Sequence, residues 1–386
     1  MLYFKSDLEK CLNINDFRVL AKKKLPVMIF DYLDGGSDDE VTLRKNCQAF
    51  DKIELLPKVL RDVTNIDLST SIMGEKIAFP FIMAPTGFTR LFHYQGEKAV
   101  ARAASKANTF YSLSTVSNTS LEEVAKTANG PKCFQIYVWR DRELVKDMIK
   151  RCKKSDYQSL CLTVDLAIPG NRERDIRHGM SLPPKLSPGS ALEMLLHPQW
   201  LYRFFTSPPL SMGNVPLGMT DSIKGDKNIQ EYLASQLDPS VTWKDAKWMI
   251  EEWGNKPFLI KGIMNPEDAK KAVEIGASGI VISNHGGRQL DHVLAPIEIL
   301  PEIVKAIKGK AEIIIDSGFR RGTDIIKALA LGADAVMLGR SYIYALAAAG
   351  EKGVERMISL LENELKKDMA LLGCTKISDL NSEYIR

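Results

Sequence analysis

A histidine and an arginine three residues apart, His285 and Arg288, stand in the segment Ser283-Asn284-His285-Gly286-Gly287-Arg288-Gln289-Leu290-Asp291. It directly follows an apolar run, Gly279-Ile280-Val281-Ile282, that reads as a buried strand. An imidazole that can take a proton, beside a guanidinium that can fix a carboxylate, suits a small acid with an abstractable proton. Read structurally, the same residues are a strand-to-helix turn with a half-buried histidine and a solvated arginine. The chemical reading gains weight from the other apolar runs, which end in Gln135 and Tyr137, Asp165, Lys261, Asp316 and Arg340. A lysine ending an apolar strand costs desolvation unless it meets an anion or an electron-rich ring. Polar groups gathered at so many strand ends point to an enzyme.

The runs that must position these groups are Phe81–Ala84, Thr109–Leu113, Cys133–Tyr137, Ser159–Val164, Phe258–Lys261, Gly279–Ile282, Glu312–Ile315 and Ala335–Leu338. Amphipathic segments lie between most of them: Glu97–Lys106, Leu121–Ala128, Asp141–Lys153, Pro266–Glu274, Ile297–Ile307 and Thr323–Leu331. Alternating strands and helices imply parallel pairing through right-handed crossovers, and eight strands favour an α/β fold closed as a (β/α)8 TIM barrel. The expected fold is one domain over 1–386, with a helical extension at 1–65, the barrel at 66–176 and 240–345, and helices at 346–386. Within the extension, Asp16–Lys24 reads as a helix with Asn15 as cap, and Pro26–Leu33 as another; Val354–Leu372 reads as a C-terminal helix. Residues 177–239, after the fourth strand, form an insertion far longer than a barrel loop requires. It carries a candidate amphipathic helix, Ala191–Phe205, bracketed by Pro183, Pro184 and Pro188 before and Pro208 and Pro209 after.

After the last two strands come Asp316-Ser317-Gly318-Phe319-Arg320-Arg321-Gly322 and Leu338-Gly339-Arg340. Glycine turns with free N–H groups beside arginines make a phosphate corner, and the alternative is a pair of tight turns. The net charge of +4 is too small, and too evenly spread, to indicate nucleic acid. Six scattered cysteines form no CxxC pair, which argues against both a disulfide framework and a metal site. No signal peptide is evident at the start and no apolar stretch is long enough to span a bilayer, so a cytoplasmic location is expected.

These motifs resemble those of the FMN-dependent L-2-hydroxy acid oxidases and dehydrogenases. SNHGGRQLD matches the family's active-site signature, supported by DYLDGG at 31–36, APTG at 84–87, QIYV at 135–138, TVD at 163–165, DSGFRRG at 316–322 and LGR at 338–340. The resemblance implies that His285 is the base, with Asp165 behind it, whether the substrate reacts as a carbanion or by hydride transfer. It implies that Arg288 clamps the substrate carboxylate with help from Arg172 and Tyr32, and that Tyr137 bonds the hydroxyl or carboxylate. Lys261 would sit at the flavin's pyrimidine edge and stabilise its reduced anion. Pro85, Thr86, Gly87, Ser114, Gln135, Thr163 and Ser283 would contact the isoalloxazine and ribityl chain. Asp316, Gly318, Arg320, Gly339 and Arg340 would hold the ribityl and phosphate.

Two positions depart from the oxidase pattern: Val116 stands where glycolate oxidases carry a bulky aromatic, and Gly87 where many members carry alanine. The first is expected to reshape the substrate pocket, the second to leave space beside the flavin. His197-Pro198-Gln199-Trp200 in the insertion resembles the bacterial membrane-associated lactate and mandelate dehydrogenases. Residues 187–212 are therefore expected to touch the inner face of the cell membrane peripherally. The expected reaction is oxidation of a small L-2-hydroxy acid, L-lactate to pyruvate, with a quinone or other membrane acceptor and a homo-oligomeric, tetrameric enzyme. The alternatives are an oxidase making hydrogen peroxide from glycolate or a longer acid, an isomerase of a phosphorylated sugar or nucleotide, and a non-catalytic binding barrel.

Overall fold

Each barrel strand is a short apolar run buried on both faces, which is why these runs show no polar alternation. The computed structural model describes residues 6–180, 187–215 and 235–386. An antiparallel hairpin, β1 (Thr70–Ile72) and β2 (Glu75–Ile77), precedes the barrel. Eight strands follow: β3 (Phe81–Met83), β4 (Tyr111–Ser114), β5 (Lys132–Ile136), β6 (Ser159–Thr163), β7 (Phe258–Ile263), β8 (Gly279–Ile282), β9 (Glu312–Ile315) and β10 (Ala335–Leu338). Each pairs in parallel with its chain neighbours, and β10 closes on β3 to complete a (β/α)8 barrel. The eight expected strands are those observed, with ends shifted by at most two residues.

The barrel interior holds Ile82, Phe110, Cys133, Cys161, Leu259, Val281, Ile314 and Met337, packed in one cluster with Ile72, Met73 and Ile77 of the hairpin. The hairpin plugs the amino-terminal end of the barrel, where the Met73 amide donates to the Glu312 carboxylate at 2.9 Å. The carboxyl ends of the strands remain as the rim, and the functional groups lie there.

Three helices build the N-terminal extension: α1 (Ile14–Lys24), α2 (Val27–Asp34) and α3 (Val41–Gln48). The cap of α1 is Asn13, whose Oδ1 accepts from the Asp16 amide at 3.1 Å; the expected cap, Asn15, lies inside the helix. Several other expectations need correction. Ala191–Phe205 is two helices, α4 (Pro188–Leu195) and α5 (Pro198–Thr206), because Pro198 cannot continue the first. The C-terminal helix begins at Arg340, and the chain kinks at Ala349 and Gly350 before Val354. The helix Trp243–Trp253 and the β1–β2 hairpin were not foreseen. Of the 177–239 insertion, residues 181–186 and 216–234 lie outside the described residues, Pro183 and Pro184 among them.

Buried charge ties the extension to the barrel. Asp34 accepts from Arg18 at 2.6 and 2.8 Å and from the Tyr344 hydroxyl at 2.7 Å. Burial alone would raise its pKa, but these bonds outweigh it and hold the carboxyl down at about 2, against 3.8 ordinarily. That depression corresponds to about 2 kcal/mol of stability. Because the folded value is the lower one, the contribution is present above the ordinary value and vanishes as pH falls through about 2. Asp34→Asn should therefore lose about 2 kcal/mol in urea unfolding at neutral pH. The gap to wild type should close as the pH drops below about 4. A gap of constant size down to acid pH would contradict this.

Candidate active site

His285 follows β8 with φ of 57°, a left-handed conformation unusual for a residue with a side chain, and Gly286 and Gly287 continue at 68° and 74°. The turn is held by its own motif. The Ser283 hydroxyl accepts the His285 amide at 3.0 Å, and the Asn284 side chain exchanges bonds with Asn46 of α3 at 2.7 and 2.9 Å. Asp291 caps α3 by accepting from the Val41 and Thr42 amides at 3.1 and 2.7 Å. Gly287 is required by close approach, since a Cβ there would lie 2.7 Å from the Leu43 nitrogen. The extension thus braces the loop that carries the chemistry, at a conformational cost on the order of 1–3 kcal/mol.

The His285 Nδ1 lies 2.9 Å from Asp165 Oδ1. A carboxylate only accepts, so Nδ1 carries the hydrogen and the lone pair sits on Nε2, which has no partner among the described residues. Burial would raise the Asp165 pKa, but facing His285 and Lys261 it falls below the ordinary carboxylate range. The Gln289 amide steadies the same loop by donating to the Asp165 carbonyl at 2.9 Å.

Arg288 Nη1 donates to the carbonyls of Tyr32 (2.7 Å) and Gly35 (3.1 Å), and the guanidinium lies 5.1 Å from the Tyr32 ring centre. Its Nε and Nη2 have no partner among the described residues. Burial first, then the neighbouring Arg172, lowers its pKa to about 10. It stays charged at neutral pH and would gain from an anion. Arg172 reaches the same Tyr32 ring at 5.8 Å and pairs loosely with Asp175 at 3.5 Å. Burial, with Asp165 second, pushes the Tyr137 phenol upward, so it remains a protonated donor.

Lys261 is buried at the end of the apolar part of β7, with its Nζ 2.8 Å from Asp316 Oδ2 and 2.6 Å from the Ser283 hydroxyl. Burial opposes its charge, but Asp316 and Asp165 outweigh that and raise its pKa. Beside it, Ser114 donates to Gln135 Oε1 at 2.9 Å, while Gln135 Nε2 and Thr163 Oγ1 are buried without a partner among the described residues. Unsatisfied buried polar atoms that line a cavity mark where a ligand supplies the missing bonds.

That cavity has a volume of about 1000 Å³. Around it the structure brings together Tyr32, Pro85, Thr86, Gly87, Ser114, Gln135, Tyr137, Thr163, Arg172, Lys261, His285, Arg288, Asp316, Gly318, Arg320, Gly339 and Arg340. Asp165 and Ser283 stand one layer behind, on His285 and Lys261. The two arginines of the phosphate corner differ. Arg340 is tied to the carbonyls of Leu33, Gly35 and Gly286 at 2.7–3.0 Å, whereas the Arg320 guanidinium donates to the carbonyl of its neighbour Phe319 and lies over the Tyr344 ring. Gly318 serves α3 packing, since a Cβ there would meet the Asn46 carbonyl at 2.0 Å; a Cβ at Gly339 would meet nothing closer than 4.0 Å. The space expected at Gly87 is not empty: Val116 Cγ2 would lie 2.6 Å from a Cβ there, so the two departures from the oxidase pattern are one contact. Unforeseen lining comes from Phe92, Trp139, Asp175 and Met180. Only Asp175, three residues after Arg172, left a sequence cue.

A closed parallel barrel with a histidine–aspartate pair, a half-buried guanidinium and unsatisfied amide and hydroxyl groups round one cavity defines an acid–base enzyme that holds a large polar ligand. The chain belongs to the FMN-dependent dehydrogenase family, whose pattern matches residues 21–386. It is 42% identical to a protein of Acinetobacter baumannii named L-lactate dehydrogenase, over 96% of each chain. It is also 42% identical to a protein of that name from Vibrio parahaemolyticus, over 96% of this chain and 97% of the relative. Among solved structures it is similar to a monotopic membrane (S)-mandelate dehydrogenase, with a TM-score of 0.92 and 37% identity over 97% of this chain and 99% of that one. The protein is an FMN enzyme, and the orphaned Gln135 and Thr163 atoms, the buried Lys261 and the cavity volume fit that cofactor.

Proposed function

We propose that the protein oxidises a small L-2-hydroxy acid, with L-lactate the first candidate, to the 2-oxo acid and passes the electrons to a quinone or other membrane acceptor. The observation that carries this reading is the His285–Asp165 pair and Arg288 facing one cavity. The relatives named for lactate, at 42% identity, support lactate over the aromatic acid named for the structural neighbour, at 37%.

Pro85, Thr86, Gly87, Ser114, Gln135 and Thr163 would hold the FMN ring and ribityl chain, Lys261 its polar edge with Ser283 steadying it from behind, and Asp316, Gly318, Arg320, Gly339 and Arg340 the ribityl and phosphate. Bound there, FMN supplies the acceptor for two electrons. Arg288 holds the substrate carboxylate through Nε and Nη2, assisted by Arg172 and Tyr32. The Tyr137 hydroxyl donates to a substrate oxygen. His285 Nε2 takes one proton, from C2 or its hydroxyl, and Asp165 stabilises the imidazolium that forms. Turnover with L-lactate tests the acceptor: reduction of a quinone or dye should far exceed oxygen uptake, and dominant peroxide formation would overturn that part.

The proposal places the enzyme on the inner face of the cell membrane. No helix among the described residues is long and apolar enough to cross a bilayer. Leu192, Leu195, Leu196, Tyr202 and Phe205 of α4, α5 and their junction are nevertheless 63–77% exposed, an apolar face suited to the headgroup boundary. Replacing 187–212 by a short linker should give a yellow protein that L-lactate still bleaches and that stays in the supernatant. The cut spares Asn214, whose Nδ2 donates to the Ser114 and Thr115 carbonyls behind the cavity wall. Co-sedimentation of the shortened protein with membranes would contradict the assignment.

A further inference from the structure

A second cavity, of about 750 Å³, lies under α5 beside the active site. Phe92 forms part of the wall of both cavities, and its ring stacks on Tyr32 of the first, with centroids 6.1 Å apart and planes 15° from parallel. The second cavity is aromatic and cationic, and no Asp or Glu is among its described lining residues. Trp200 stacks on Phe204 at 4.8 Å, and Arg203 lies 4.7 Å from the Tyr94 ring centre. Arg90 is fastened to the Pro208 and Pro209 carbonyls and Lys24 to that of Ala348. Each cation is thus fixed by a neutral partner and keeps its field. His93 accepts the Gln95 amide at Nδ1 (3.4 Å), which puts its hydrogen on Nε2, where no partner stands among the described residues. Burial, with Lys24 and Arg203 adding, lowers its pKa to about 4 and keeps that ring a neutral donor. Leu196 and Tyr202 line the cavity and belong to the exposed apolar face.

We infer that this cavity binds the lipophilic quinone that re-oxidises the enzyme. The inference rests on the function proposed above and gives its acceptor a place. A flat ring with two carbonyl oxygens matches aromatic walls, a neutral N–H donor and a positive field that favours charge building on those oxygens. An acidic lipid headgroup would have no use for aromatic walls or for a wall shared with the active site. The apolar tail would leave over Leu196 toward the bilayer. The exchange balances: the hydroxy acid loses two electrons and two protons as its C–OH becomes C=O. The quinone gains two of each, and both its C=O groups become C–OH. The protons leave and enter through water at the two cavity mouths.

The test uses the holoenzyme and a decyl-substituted benzoquinone. Saturable quenching of tryptophan fluorescence is expected, with most of the amplitude lost in Trp200→Phe. In His93→Leu and Arg203→Gln the quinone dissociation constant should rise about tenfold, which is about 1.4 kcal/mol. Re-oxidation of substrate-bleached enzyme at low quinone should slow in parallel. Arg203 is on the surface of α5, so its variant remains informative if His93→Leu fails to fold. Wild-type affinity in both variants would overturn the inference. So would quinone-free phosphatidylglycerol vesicles that quench equally and compete the quinone away. Failure of L-lactate to bleach the wild type would sink the functional reading instead, and quinone quenching would still decide the site.

Discussion

His285→Gln is expected to keep the yellow cofactor and to reduce it with L-lactate about 10³–10⁴ times more slowly than wild type, the upper part of the range one positioned base contributes. Glutamine preserves the bulk and a group for Asp165 but offers no basic lone pair in place of Nε2. The geometry makes the effect specific, because the Asp165 contact at 2.9 Å fixes which nitrogen is free. Asp165→Asn leaves that base in place and removes only the charge behind it, so a smaller loss of about 10²-fold is expected. Stopped-flow bleaching under anaerobic conditions measures both. Unimpaired bleaching in the glutamine variant would reassign the base.

Arg288→Lys should cost about 10²–10³ in kcat/KM, because truncating one side of a buried charge pair loses about 2–5 kcal/mol. Lysine keeps the charge but cannot present two parallel N–H groups to a carboxylate while also bonding the Tyr32 and Gly35 carbonyls. The loss should fall mainly on KM. A second readout separates clamping from general damage: wild type should strongly prefer lactate to lactamide, and the variant should lose most of that preference. Retained discrimination would place the carboxylate elsewhere, with Arg172 the next candidate.

The barrel was legible because its strands are buried on both faces and therefore appear as unbroken apolar runs, each ending in a polar residue at the rim. The gathering of His285, Arg288, Lys261 and Asp165 round one cavity followed from those ends. What escaped was set by contacts distant in the chain. Asn284 and Asp291 belong to the signature but serve Asn46 and the amides that open α3, a role no local pattern announces. Gly87 and Val116 read as two departures, yet the Val116 side chain fills the volume that a Cβ at position 87 would need. The hairpin was missed because strands of three residues carry too little period. The helix Trp243–Trp253 was missed although Trp243, Ala246, Met249 and Trp253 are spaced for one, and Thr242 and Asp245 form its capping box. Phe92 escaped because it enters from the connection after β3, where nothing in the sequence marks it as a wall of two cavities.

The central claim is that FMN and a hydroxy acid share this cavity with His285 and Arg288. Anaerobic titration of the purified yellow protein with L-lactate and D-lactate tests it most directly. Full bleaching of the visible band by the L enantiomer, with none by the D form on the same timescale, is the result predicted. A colourless protein that refuses FMN, or a yellow one that no L-2-hydroxy acid bleaches, would contradict the account.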